Sequence, residues 1–162
     1  GAGKEALMEG FMWGYLDKAL FIVFFLGFAT TLVWFISRGW RELAKAYPLM
    51  FPFSGKRWFF ESGAIAGARY GGLLIAGGDL PGAYFATCFP SAVCPPLFIP
   101  WEEIKGVERK GFLVRSVELR FAKQPNEEHW ISRRVADRLE KVSGGKWRYQ
   151  RAEKKFLPAY QS

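Results

Sequence analysis

The chain has 162 residues, is half hydrophobic and 18% aromatic, and carries a formal net charge of +8. That length suits one domain, or one small domain with an appendage. The apolar content excludes a disordered chain, and the excess of cations directs attention to anionic partners.

In chain order, the first element is Ala19–Ile36, ALFIVFFLGFATTLVWFI, which holds no charged residue. As a helix it measures about 27 Å, close to the ~30 Å hydrocarbon core of a bilayer. Trp13 and Tyr15 precede it, and Trp34 and Trp40 stand near its far end, where interfacial aromatics collect. A cleaved signal peptide would have a shorter apolar core and small residues where Trp34-Phe35-Ile36 stands. A buried core helix would show a polar face. The reading is a single transmembrane helix.

Lys4 and Lys18 before the span are accompanied by Glu5, Glu9 and Asp17, whereas Arg38, Arg41, Lys45, Lys56 and Arg57 follow it. The positive-inside bias then places the N-terminus outside and the rest in the cytoplasm. Of 23 cations less Lys4 and Lys18, and 15 anions less Glu5, Glu9 and Asp17, there remain 21 against 12 on the cytoplasmic side. Each such cation near an anionic surface contributes about 1 kcal/mol of attraction.

Trp40, Leu43, Ala44 and Tyr47 then recur at helical spacing and Pro48 ends the run, so a short amphipathic helix is expected, lying in the headgroup layer or packing on the domain behind it. PLMFPFSG reads as a linker. From Lys56 onward the pattern is that of short strands. RWFFES places Trp58 and Phe60 on one face, and Arg57, Phe59 and Glu61 on the other. AIAGARYG and GGLLIAG follow, with a turn at Gly71-Gly72, then AYFATCF, GFLVRS, VELRFA and HWIS, with KQPNEE as a polar loop. Such spacing suggests a small antiparallel barrel or bent sandwich. Ser132 is a candidate N-cap for a helix bearing Ile131, Val135, Leu139 and Val142 on one face, with Gly144 as its stop.

The expected organisation is an extracytoplasmic segment (1–18), a transmembrane helix (19–36), an amphipathic helix and linker (37–55), a β domain with a C-terminal helix (56–143) and a basic-aromatic tail (144–162). In that tail Trp147, Arg148, Tyr149, Arg151, Lys154 and Lys155 alternate cations with rings, a composition suited to docking on a protein or membrane surface.

No catalytic pattern emerges. GARYGG lacks the lysine-serine/threonine ending of a phosphate loop. His129 has no partner in sequence, and the adjacent Glu102 and Glu103 would face opposite ways on a strand. Cys88 and Cys94 lack zinc spacing and would stay unbridged in a reducing cytoplasm. The chain is read as a non-enzyme with no cofactor, metal, nucleic-acid partner or small-molecule substrate.

One segment stands out, PPLFIPWEEI. Pro95 and Pro96 suit the entry to an edge strand. Leu97, Phe98 and Ile99 make a short buried strand, Pro100 turns the chain, Trp101 and Ile104 anchor the corner, and Glu103 is a turn or capping acid. Together with GWRELAKAYP, this run resembles small bacterial single-pass membrane proteins of uncharacterised function. The matching positions are Gly39, Trp40, Leu43, Ala44, Tyr47, Pro48, Pro95, Pro96, Leu97, Ile99, Pro100, Trp101, Glu103 and Ile104, within about Trp34–Ser143; those relatives often carry histidine where Cys94 stands. The resemblance implies a pleckstrin-homology-like (PH-like) cytoplasmic domain, a bent sandwich or partly open barrel capped by a C-terminal helix. It brings no activity with it. The function expected is that of a non-catalytic accessory or stabilising subunit of a larger membrane complex, of the kind found in respiratory or photosynthetic membranes, with membrane lipids and other subunits as partners. The alternative is a membrane-tethered module binding lipid headgroups or peptides. Interaction candidates are Trp40, Pro100, Trp101, Glu103, Ile104, Trp147, Arg148, Arg151, Lys154 and Lys155.

Overall fold

The computed structural model describes residues 1–111 and 114–152. The chain divides into two compact units, Gly1–Ile36 and Ser37–Ser162. The first is one continuous helix, α1 (Ala2–Ile36), of which no residue is buried. It is long and apolar enough to cross a membrane. The helical run also takes in residues 2–18, which add a further ~25 Å at 1.5 Å per residue.

The second unit starts with α2 (Arg38–Ala46), then β1 (Lys56–Ile65), β2 (Ala68–Asp79), β3 (Gly82–Thr87), β4 (Leu97–Pro100), a 3-10 turn at Trp101–Glu103, β5 (Ile104–Lys110), β6 (Arg115–Phe121), β7 (Gln124–Ser132) and α3 (Arg133–Val142). The strands form one antiparallel sheet in the order β4-β3-β2-β1-β7-β6-β5. Its two edge strands, β4 and β5, are consecutive in sequence and only three residues apart. A gap that short reaches about 10 Å, so the sheet has to curl until its edges approach one another. They do not pair, and the sheet stays open.

Both helices close the curled sheet over one core. Trp40, Leu43 and Ala44 on α2 and Tyr47 at its C-cap are all buried, so this helix packs on the domain rather than serving as a surface element. Trp40 Nε1 donates to the Pro95 carbonyl at 2.7 Å, and its ring meets Tyr70 edge-on. α3 is capped as expected, Ser132 Oγ accepting from the Val135 N–H at 3.3 Å. It presents Val135, Ala136 and Leu139 inward. Gly78 on β2 permits this close approach: a Cβ there would stand 2.6 Å from Val142 and 3.3 Å from Trp101.

Several elements differ from their sequence reading. The turn expected at Gly71-Gly72 lies instead at Ala66-Gly67, where both residues have positive φ (+53° and +77°), as a two-residue hairpin requires. β2 continues through Gly71-Gly72, where Gly72 has φ +68° and the pairing with β1 shifts register. β5 follows the Trp101 corner directly, and β7 begins within the segment read as a polar loop. Phe53, in the segment read as a linker, is buried and stacks on Tyr84 at 4.4 Å. In β1, register shifts on either side of Glu61 and a left-handed Phe60 (φ +58°) break the alternation: Phe59 and Phe60 are both exposed, and Glu61 is buried. A non-glycine residue in that region carries about 1–3 kcal/mol of strain.

Phe60→Asn, which tolerates the left-handed region, is expected to leave thermal stability unchanged or raise it by up to about 1 kcal/mol. A loss of stability would show that the ring packs in a way the exposed position does not reveal.

Candidate functional site

The Pro95–Ile104 corner is where the two edges of the sheet are joined, and Leu97, Ile99, Trp101 and Ile104 in it face inward. Trp101 and Ile104 are buried, and Trp101 Nε1 donates to the Asp79 carbonyl at 2.8 Å, tying the corner to the end of β2. Trp147 stacks on Trp101 with centroids 5.8 Å apart, and its own Nε1 donates to the Ile104 carbonyl at 3.0 Å. Pro100 ends β4 half-buried. The corner thus joins the end of β4 and the start of β5 to β2 and to the segment that follows α3.

The first part of the basic-aromatic tail belongs to the domain. Trp147 and Tyr149 are buried, and the Tyr149 hydroxyl donates to Asp137 of α3. Gln150 lies along the open edge of β5, its N–H donating to the Gly106 carbonyl and its carbonyl accepting from the Glu108 N–H, both at 2.8 Å. Of the tail cations, Arg151 pairs with Glu140 at 3.2 Å and Arg148 is exposed. Lys154 and Lys155 lie outside the described residues. The tail expected from its composition to dock on a protein or membrane surface is, up to Ala152, a strap that covers an edge of its own sheet.

Inside the sheet sits a polar group of side chains that sequence reading left without a role. His129 is fully buried against Phe121, ring centroids 4.3 Å apart. Its Nδ1 accepts from the Ala66 N–H at 2.9 Å, and its Nε2 makes no hydrogen bond of ordinary geometry. Burial pushes the imidazole down to about 4, partly offset by the Gln124 backbone carbonyl. Tyr47 is pushed up to about 12, by burial first and then by the neighbouring Glu103 carboxylate, while its hydroxyl accepts from the Lys123 N–H at 2.9 Å. Glu103 thus faces the interior beside Tyr47, and one of its oxygens is buried without a partner. Cys94 is buried and its thiol raised by that burial; Cys88 is exposed. Among the described residues no three histidine, cysteine or carboxylate side chains are grouped to hold a metal.

The outer surface offers one groove with a clear charge. About 590 Å³ in volume, it is lined by Lys56, Trp58, Asp79, Arg138 and Lys141 together with Ser54 and Gly55. Arg138 is fixed by its bond to the buried carboxylate of Glu61 at 3.0 Å, which Arg134 also reaches at 2.7 Å, and its guanidinium lies 5.6 Å from the Trp58 ring centre. Sequence reasoning missed this grouping. Its members come from the start of β1, the end of β2 and the last turns of α3, and no periodicity links them.

Compared with family models, curated proteins and solved structures, the chain matches none. The fold defines its class: an antiparallel β domain with two packed helices, preceded by one apolar helix that is a candidate membrane anchor.

His129 gives a pH signature. With a folded pKa below its ordinary 6.5, the unfolded chain takes up the proton first as pH falls, so its contribution is complete above about pH 6.5 and declines toward pH 4. The full loss is about 3 kcal/mol. Urea unfolding of His129→Gln across this window is expected to show a flatter pH dependence than the native chain. An identical slope would assign the titration to other groups.

Proposed function

We propose that this chain is a non-catalytic accessory subunit of a larger bacterial membrane assembly, anchored by α1 with its N-terminus outside and its β domain in the cytoplasm. The observation that carries the reading is the surface of α1. None of its residues is buried, and Phe21, Phe24, Phe25, Phe28 and Phe35 fall on one stripe at helical spacing, with Phe21 and Phe25 stacked 6.4 Å apart. The opposite side carries Ala19, Val23, Leu26 and Thr30. Lipid is the same on every side of a helix. An asymmetric aromatic stripe suits a neighbouring helix or an embedded ring system.

The strand order β4-β3-β2-β1-β7-β6-β5, followed by a C-terminal helix, supports the reading of the domain as PH-like. So does the placement of Trp40, Tyr47, Leu97, Ile99, Trp101 and Ile104, the positions that carry the resemblance, in one shared core. That architecture hosts many unrelated functions, so the function rests on surfaces. The second reading, a membrane-tethered headgroup- or peptide-binding module, is favoured by the groove of Lys56, Arg138 and Lys141.

Purification from native membranes in mild detergent tests the first reading. The chain is expected to resist carbonate extraction and to elute in a particle well above its own 18.5 kDa. Consistent migration alone would rule out the subunit role, and release by carbonate would rule out the anchor.

A further inference from the structure

Phe59 and Phe60 are consecutive residues of a central strand, yet they are 54% and 75% exposed. Regular strands send successive side chains to opposite faces, so one of the two should point inward. The left-handed Phe60 and the register shifts around Glu61 turn both outward. This irregular conformation is held from behind, since the buried Glu61 carboxylate is bonded to Arg134 and Arg138 of α3. Strained backbone that displays apolar side chains, and is fixed by a buried charge network, points to use of the displayed groups.

The basic groove includes Trp58, the residue before Phe59. Lys56, Arg138 and Lys141 converge there with one lining carboxylate, Asp79, and Arg138 is itself paired with the buried Glu61. Trp58 forms part of the same wall. We propose that Lys56, Trp58, Phe59, Phe60, Arg138 and Lys141 form a membrane-contact site. The cations take the phosphates of anionic lipid headgroups, and the two phenylalanines enter the boundary between headgroups and acyl chains. The site lies at the opposite end of β1 from the Ala66-Gly67 hairpin.

Two observations select a lipid surface as the occupant. Cations outnumber carboxylates in the groove, which complements anionic phosphate diesters. The phenylalanines protrude rather than line a pocket, and a fluid interface accepts protruding rings without needing a matching cavity. The inference rests on α1 being a membrane anchor.

The test is amide exchange of the full chain in nanodiscs of phosphatidylcholine alone or mixed with phosphatidylglycerol. Exchange across residues 56–61 is expected to slow by about tenfold in the mixed discs, as for a contact made about nine-tenths of the time. Lys56→Glu/Lys141→Glu and Phe59→Ser/Phe60→Asn change exposed positions and should each abolish that slowing while the chain still enters discs. Equal exchange in both lipids, or slowing that survives both variants, overturns the site and leaves the anchor standing. Equal slowing by inorganic phosphate in neutral discs overturns the lipid assignment in favour of a soluble phosphate ligand. Failure of the native chain to enter discs at all removes the anchor, and with it this proposal.

Discussion

The domain depends on a short connection. Its sheet has seven strands, and the two at its edges are joined by Trp101–Glu103 alone. Three residues cannot span a flat sheet of that width, since neighbouring strands are about 4.8 Å apart. The sheet must curl, and curling creates an interior that needs filling and openings that need covering. Trp101 fills the joint itself, bonded to β2 and stacked on Trp147. α2 and α3 supply the apolar faces that complete the core. The exposed edges are covered in the same economical way, with Tyr47-Pro48 lying along β4 and Gln150 along β5.

Curling also explains why buried polar groups gather where they do. His129, Glu103 and Gln124 each hold a buried atom with no hydrogen-bond partner, and Tyr47 lies beside Glu103. Glu103 lies in the corner, and Gln124 and His129 lie on β7 beyond the point where the ladder shifts register between Leu119 and Phe121; Tyr47 reaches them from the end of α2, and Tyr70 on β2 also holds a buried unpartnered hydroxyl. Burial keeps the imidazole neutral and the phenol protonated over the physiological range. On the outside, the β1 bulge has the opposite effect. It brings a carboxylate inside, where two arginines of α3 meet it, and puts two phenylalanines outside. One local irregularity thus sets both the internal charge network and the most distinctive external surface of the domain.

Much of the scaffold was legible in residue order. The apolar run of α1 is continuous, and the periodicity of Trp40, Leu43, Ala44 and Tyr47 marked the buried face of α2. The alternation of Val117, Leu119 and Phe121 marked the inward face of β6, and Ser132 marked the start of α3. These are local signals with fixed geometric periods. The β1 bulge broke the alternation expected of RWFFES because one left-handed residue shifts every side chain beyond it, and nothing in Phe60 itself announces that conformation. Trp147 and Tyr149 looked like a docking tail because composition cannot say which surface an aromatic residue meets. They dock on their own domain.

The sequence by itself determined the candidate membrane helix, the β character of the rest, the corner at PPLFIPWEEI and the positive charge. Each depends on hydrophobic periodicity, on proline's missing donor or on simple counting, all properties of neighbouring residues. Tertiary structure alone decided which cations share a groove, which carboxylate lies buried between arginines, and which aromatics face out. Those outcomes depend on strands brought together across β1, β2 and α3, and contact between residues so far apart in the chain exists only once the sheet has curled.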